Sequence, residues 1–303
     1  MEAAAKRGCI EDDQPFVIGR GAHVILSPNA QWVMQHHLLD LQEGVWRKAF
    51  VSTNQGKKAT IVSTKLQTIT SGEWSPDSEC LAFGGQGKVY VLIKNRCMKI
   101  RVPNGRVHQV WWANNTCLKV ATQQKYINTY EIVHHNKVIC VERKSFEMDR
   151  GSLVFGDNAC VSATIHASSS LFMQLKTDCS FDSASVSGIS QLNSLAVSRN
   201  GKVVIASAPE GLIVFNPKGK TPLVLCDEFQ ACNLCAISPS GNSYIFTSRN
   251  HVFGIANDVV VHNISFDPTL SFTALYFTSE KTYVVILQHR DDKTVKVARH
   301  TLS

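Results

Sequence analysis

The chain has 303 residues, 44 % of them apolar and 18 % charged, with 31 basic and 24 acidic side chains giving a formal charge of +7. That is ample apolar material for a packed core, and no tract is of low complexity. No run approaches the roughly 18 apolar residues that a spanning helix requires, and Met1–Gln14 is small, charged and polar, unlike a secretory leader.

In chain order, a flexible tail over 1–13 leads into Pro15–Gly19 and then into a pattern that recurs seven times. A short apolar run reaches a turn tetrad and is followed at once by a second β-rich run. The copies are Leu26-Ser27-Pro28-Asn29-Ala30, Trp74-Ser75-Pro76-Asp77-Ser78, Trp112-Ala113-Asn114-Asn115-Thr116, Phe155-Gly156-Asp157-Asn158-Ala159, Val197-Ser198-Arg199-Asn200-Gly201, Ile237-Ser238-Pro239-Ser240-Gly241 and Phe277-Thr278-Ser279-Glu280-Lys281. Their second positions are 48, 38, 43, 42, 40 and 40 residues apart. Pro, Asp, Asn, Ser and Gly preset or tolerate the dihedrals of tight turns. A period near forty carried by β-hairpins predicts an all-β seven-bladed β-propeller with four antiparallel strands per blade. It fills 14–303 as a single domain.

Each repeat has the same grammar: strand a, tetrad, strand b, a polar break, strand c, a second break, strand d. In blade two, strand a ends at Trp74 and strands b to d are predicted at Cys80–Gly84, Lys88–Ile93 and Cys97–Val102. In blade five the four strands are predicted at Leu192–Val197, Val203–Ser207, Gly211–Phe215 and Pro222–Cys226. Blade one holds the longest gap, and its b–c connection, His36–Gly44, is predicted to be helical or irregular and to be a candidate contact loop.

The Ser-Pro-Asp-type turns between strands, at Ser75-Pro76-Asp77-Ser78 and Ser238-Pro239-Ser240-Gly241, resemble those of WD40 repeats, and weaker forms extend over 24–299. No Gly-His opens a blade and no Trp-Asp closes a strand c, where Leu92-Ile93, Tyr130-Glu131, Val214-Phe215 and Val297-Ala298 stand instead. The family's hydrogen-bonded His/Asp structure is therefore not expected here. The seventh copy ends with strand c near Lys293–Arg299, so its outer strand has to come from elsewhere. As the resemblance implies, Pro15–Gly19 can supply it and cover the open edge.

Chemistry-bearing motifs are scarce. There is no GxSxG, P-loop, GxGxxG after a strand or HExxH, and Gly84-Gly85-Gln86-Gly87 reads as a hairpin. Ten cysteines, at 9, 80, 97, 117, 140, 160, 179, 226, 232 and 235, fall mostly in strand runs and are expected to be reduced and buried. The one CxxC, Cys232 to Cys235, lies in a predicted strand, where residues three apart point to opposite faces. The adjacent pairs His36-His37 and His134-His135 read as solvated loop histidines, and Asp12-Asp13 and Asp291-Asp292 lie in the tail and a polar loop. The expectation is no enzyme and no cofactor.

Charge is the functional clue. From Cys80 to Tyr130 there is no Asp or Glu, while Lys88, Lys94, Arg96, Lys99, Arg101, Arg106, Lys119 and Lys125 stand there. The other positions hold 23 basic and 24 acidic side chains, so this sector accounts for the whole positive excess. Lys94, Arg96, Lys99 and Arg101 fall on the c–d hairpin and outermost strand of blade two, at the rim, and Arg106 in the following loop. The bland reading is a solvated basic face. The functional reading, in line with what the resemblance implies, is an intracellular scaffold or adaptor subunit, in nucleus or cytoplasm, that meets protein partners through its loop faces and this rim. The alternative is RNA or DNA binding by the sector 88–125. Acidic residues elsewhere on that end argue against a uniformly basic cradle, and the Phe-Arg-Arg-Gly motif of phosphoinositide-binding propellers is missing.

Overall fold

A computed structural model describes residues 16–17, 23–27, 32–39, 46–53 and 59–64 and, with breaks of one to six residues, 69–302. The tail 1–13, the first tetrad beyond Ser27, Lys94, His134-His135, Asp292, Cys9, Cys179 and Cys226 lie outside the described residues. The strands are numbered along the chain from β1 (Phe16–Val17). Two compact units are distinguished, one of residues 17–147 and one of 1–16 with 148–303.

The first of these units holds three four-stranded antiparallel sheets. They are β2 (His23–Leu26), β3 (Trp32–Leu39), β4 (Trp46–Thr53) and β5 (Ala59–Thr64); then β6 (Ser71–Trp74), β7 (Cys80–Gly85), β8 (Lys88–Ile93) and β9 (Arg96–Arg101); then β10 (Val107–Trp112), β11 (Cys117–Thr122), β12 (Tyr126–Val133) and β13 (Lys137–Ser145). The other unit holds four: β14 (Ser152–Phe155) to β17 (Phe181–Ser187), β18 (Ser194–Val197) to β21 (Leu223–Leu225), β22 (Cys232–Ile237) to β25 (Val259–Ser265), and β26 (Leu270–Phe277), β27 (Thr282–His289) and β28 (Thr294–Thr301). In this last sheet β1 lies beside β28 as the fourth strand.

Burial explains why these runs are strands. The middle strands β7, β19 (Val204–Ala208) and β20 (Gly211–Phe215) are buried at every position, because both faces of their sheets are covered by the next sheet. The last strands, such as β9 and β13, are mostly exposed. Between the β6–β9 and β10–β13 sheets the core joins Ala82, Val89 and Val91 to Trp112, Leu118 and Tyr130. In the other unit, Val161, Leu171 and Met173 meet Val204, Ala206 and Phe215, and Ala236, Ile245 and Val252 meet Leu275, Tyr283 and Val285.

The sequence period has a physical counterpart in hydrogen bonds between neighbouring turns. The Asp157 N–H donates to Arg199 O (2.9 Å), and the Arg199 N–H to Pro239 O (3.1 Å). Asn200 Nδ2 donates to Ser240 O (2.7 Å), and the Ser240 N–H to Glu280 Oε1 (3.0 Å), each bond spanning 40 residues. In the other unit the Asp77 N–H donates to Asn115 Oδ1 (3.2 Å), 38 residues on. The tetrad serines close their own turns. Ser198 Oγ accepts the Lys202 and Val203 N–H groups (3.1 and 3.0 Å) and donates to Asn200 Oδ1 (2.8 Å). Ser75 and Ser238 occupy the same buried position. Gly201 and Gly241 end their tetrads at φ +68° and +84°, a left-handed conformation open to glycine.

Three expectations are corrected. His36–Leu39 are not a connection: β3 continues through them, pairing His36 with Ala49 and Leu39 with Trp46, so the ladder overrides the polar His-His pair. Residues 40–44 of that expected connection lie outside the described residues. Cys97 and Cys140 are exposed, because both sit on last strands with one sheet edge uncovered. Cys232 and Cys235 do not point apart, since a register shift between them brings both into one buried cluster with Phe229 and Phe246.

Candidate partner-binding rim

The basic sector is carried by the β6–β9 and β10–β13 sheets. β9 is at the edge, paired with β8 from Ile93↔Arg96 to Lys88↔Arg101. It exists as a strand because Met98 and Ile100 reach the intersheet core, where β13 contributes Val138. The alternation that buries Ile100 puts Cys97, Lys99 and Arg101 on the opposite face. Arg96, at the start of the strand, shares the Met98 face and is exposed. At about 3.3 Å per residue, Arg96 and Arg101 stand about 16 Å apart along the edge.

The predicted set is thus split. Arg96, Lys99 and Arg101 are together on β9, all exposed, and none forms an ion pair among the described residues. Lys94 lies outside the described residues. Arg106 is exposed in the loop before β10, and its carbonyl accepts the Gln123 N–H (2.9 Å), which ties it to the b–c turn of the next sheet. Trp111 and Trp112 are buried on β10, as expected for an inner strand, and are not available to stack on a ligand.

The rest of the sector contributes no opposing charge. Partial desolvation pushes the Cys97 thiol up. Burial, with Cys140 second, pushes the Tyr130 hydroxyl up to about 12, so both groups are neutral at pH 7. A window ending at Tyr130 missed β13, the exposed last strand of the next sheet, which carries Lys137, Arg143 and Lys144. Two of these three bases are engaged at home. Lys144 pairs with Glu142 at 3.4 Å, and the Arg143 guanidinium lies 4.2 Å over the Tyr126 ring. Alternating charge after His135 was the available signal, diluted by Glu131 and Glu142.

Among the described residues no three His, Cys, Asp or Glu side chains are grouped to hold a metal ion. Burial pushes the Cys235 thiol up to about 11, so it is protonated at pH 7. His262, Tyr283 and His300 come together between β25 and β27–β28, with ring centroids 5.4 to 5.9 Å apart. Burial holds His262 below its ordinary value and raises Tyr283, which leaves both neutral as packing groups.

No family model matches the chain, and no curated protein sequence matches it. Among solved structures, the β-propeller domain of Myceliophteria thermophila Cps50 (Swd1) is similar, with a TM-score of 0.59 and 11 % identity over 95 % of this chain and 100 % of that one. The fold is a β-propeller. Solved chains that match number 1207, and an architecture so widely used identifies shape and leaves activity to the side chains.

Proposed function

We propose that this WD40-like propeller is a single seven-bladed ring over 14–303 and acts as a non-enzymatic scaffold, an adaptor subunit whose rim on blades two and three is the partner contact. The observation that carries the reading is β9: three exposed bases without ion pairs among the described residues, on an edge strand, inside a 51-residue stretch that has no carboxylate. Charge so concentrated steers an oppositely charged partner and raises its rate of encounter. The seven described cysteines are all free, which suits a reducing, intracellular compartment. No helix among the described residues is long and apolar enough to cross a membrane.

The test is capture of partners from native extract by the full chain and by a variant with Lys94, Arg96, Lys99 and Arg101 all changed to Glu. The wild type is expected to retain protein subunits in stoichiometric amounts, and the variant to lose at least tenfold of them while keeping its melting temperature. Equal capture by both proteins would remove the rim from the account. Recovery of RNA or DNA instead, lost in the variant and steeply dependent on salt, would favour nucleic acid as the ligand of the sector.

A further inference from the structure

The exposed bases of β9 coincide with a free backbone edge. In an antiparallel ladder successive residues direct their N–H and C=O groups alternately toward one neighbour and away from it. The Val102 N–H donates to Gly87 O at 3.0 Å, and the register runs from Arg101↔Lys88 to Arg96↔Ile93 without a shift. Counting back from Val102 in steps of two, Ile100, Met98 and Arg96 turn their backbone groups toward β8. Arg101, Lys99 and Cys97 turn theirs outward, where β9 has no further strand beside it among the described residues. These three also carry exposed side chains.

We propose that β9 is an augmentation edge that takes an extended acidic segment of a partner polypeptide as a fifth strand. The proposal rests on the reading of this rim as the partner contact and specifies how the partner binds. Main-chain hydrogen bonds to Cys97, Lys99 and Arg101 would hold the segment, and alternate side chains would read its sequence. Cross-strand neighbours lie about 4.5–5.5 Å apart, so carboxylates at alternate positions of the segment meet Lys99 and Arg101 on one face. A carboxylate of the other alternation meets Arg96.

Charge decides the occupant. Lysine and arginine on an edge ordinarily keep sheets from joining edge to edge, and here they would set like charges against each other if a second copy of β9 docked. An acidic segment turns that repulsion into attraction. The other last strands do not share the combination. β13 has Glu142, with Arg143 and Lys144 engaged internally, and β17 carries Asp182 and no base.

The experiment uses the full chain and a fluorescein-labelled eight-residue peptide of alternating Glu and Val, followed by fluorescence anisotropy at low salt. Saturable binding is expected for the wild type and for Cys97→Ser, which keeps the N–H. Cys97→Pro removes only an outward-facing donor, leaves the charge and the β8 ladder intact, and is of a kind tolerated in edge strands. It should weaken binding at least tenfold. Lys99→Gln with Arg101→Gln should do the same and flatten the salt dependence. A peptide with one central Val replaced by Pro tests the backbone requirement on unaltered protein, should Cys97→Pro fail to fold. Loss with the charge variant but not with either proline would overturn augmentation and leave the basic rim standing. No binding by the wild type, or binding indifferent to the charge variant, would overturn both.

Discussion

Trp112→Ala is expected to lower the free energy of unfolding by about 3–5 kcal/mol, the usual range for emptying a buried aromatic site. Trp112 has no exposed surface and stands where the β6–β9 and β10–β13 sheets share their core, with Ala82 and Val91 on one side and Leu118 and Val120 on the other. Its Nε1 also donates to Glu73 O at 2.9 Å, a bond across 39 residues from one inner strand to the next. The bond and the contacts with Ala82 and Val91 link consecutive sheets, whereas Leu118 and Val120 belong to the same sheet as Trp112. Trp112→Phe separates the two contributions: it keeps most of the packing and removes only the indole bond to Glu73 O, at about 0.5–1.5 kcal/mol. Urea unfolding followed by circular dichroism measures both. A loss below about 1 kcal/mol for Trp112→Ala would mean that intersheet packing at this position is not what holds the sheets together.

The second large effect is expected at Gly156→Val, about 1–3 kcal/mol of destabilisation from overpacking. A Cβ there would lie 2.8 Å from Ser198 O and 3.1 Å from Arg199 O. Both are backbone atoms, so relief requires the next turn to move. That turn is tied on, since Arg199 accepts from the Asp157 N–H and donates to Pro239 O. The strain therefore passes along the row of turns. Thermal unfolding of Gly156→Val beside wild type reads the effect. An unchanged melting temperature would mean that the turns are not braced against one another.

The turns were legible because their chemistry is local. Ser, Pro, Asp and Gly at fixed offsets specify a tight turn wherever they stand, and the 38- and 40-residue spacings reappear as the spans of the bonds between turns. Strands buried on both faces were legible as continuous apolar runs: Lys88–Ile93 and Gly211–Phe215 were placed residue for residue. Where pairing overrides local preference, reading by composition failed. His36-His37 resembles a loop but lies in β3, because the partner residues from Lys48 to Ala49 continue the ladder. The shift between Cys232 and Cys235 has no mark in the sequence, and it decides which way both thiols point. The basic sector followed from counting charges. That β9 presents Lys99 and Arg101 with their backbone groups outward depends on hydrogen-bond register, which a charge count does not contain.

Crosslinking mass spectrometry on the native complex, with a carboxylate-to-amine reagent, tests the central claim that the β9 rim is where a partner sits. The account predicts that Lys99, with Lys94 and Lys88 near it in the sequence, joins to an acidic segment of one recurrent protein partner. Those links would be lost when Arg96 and Arg101 are changed to Glu. Partner crosslinks confined to Lys202, Lys281 and Lys296, with Lys99 unreacted toward any partner, would contradict it.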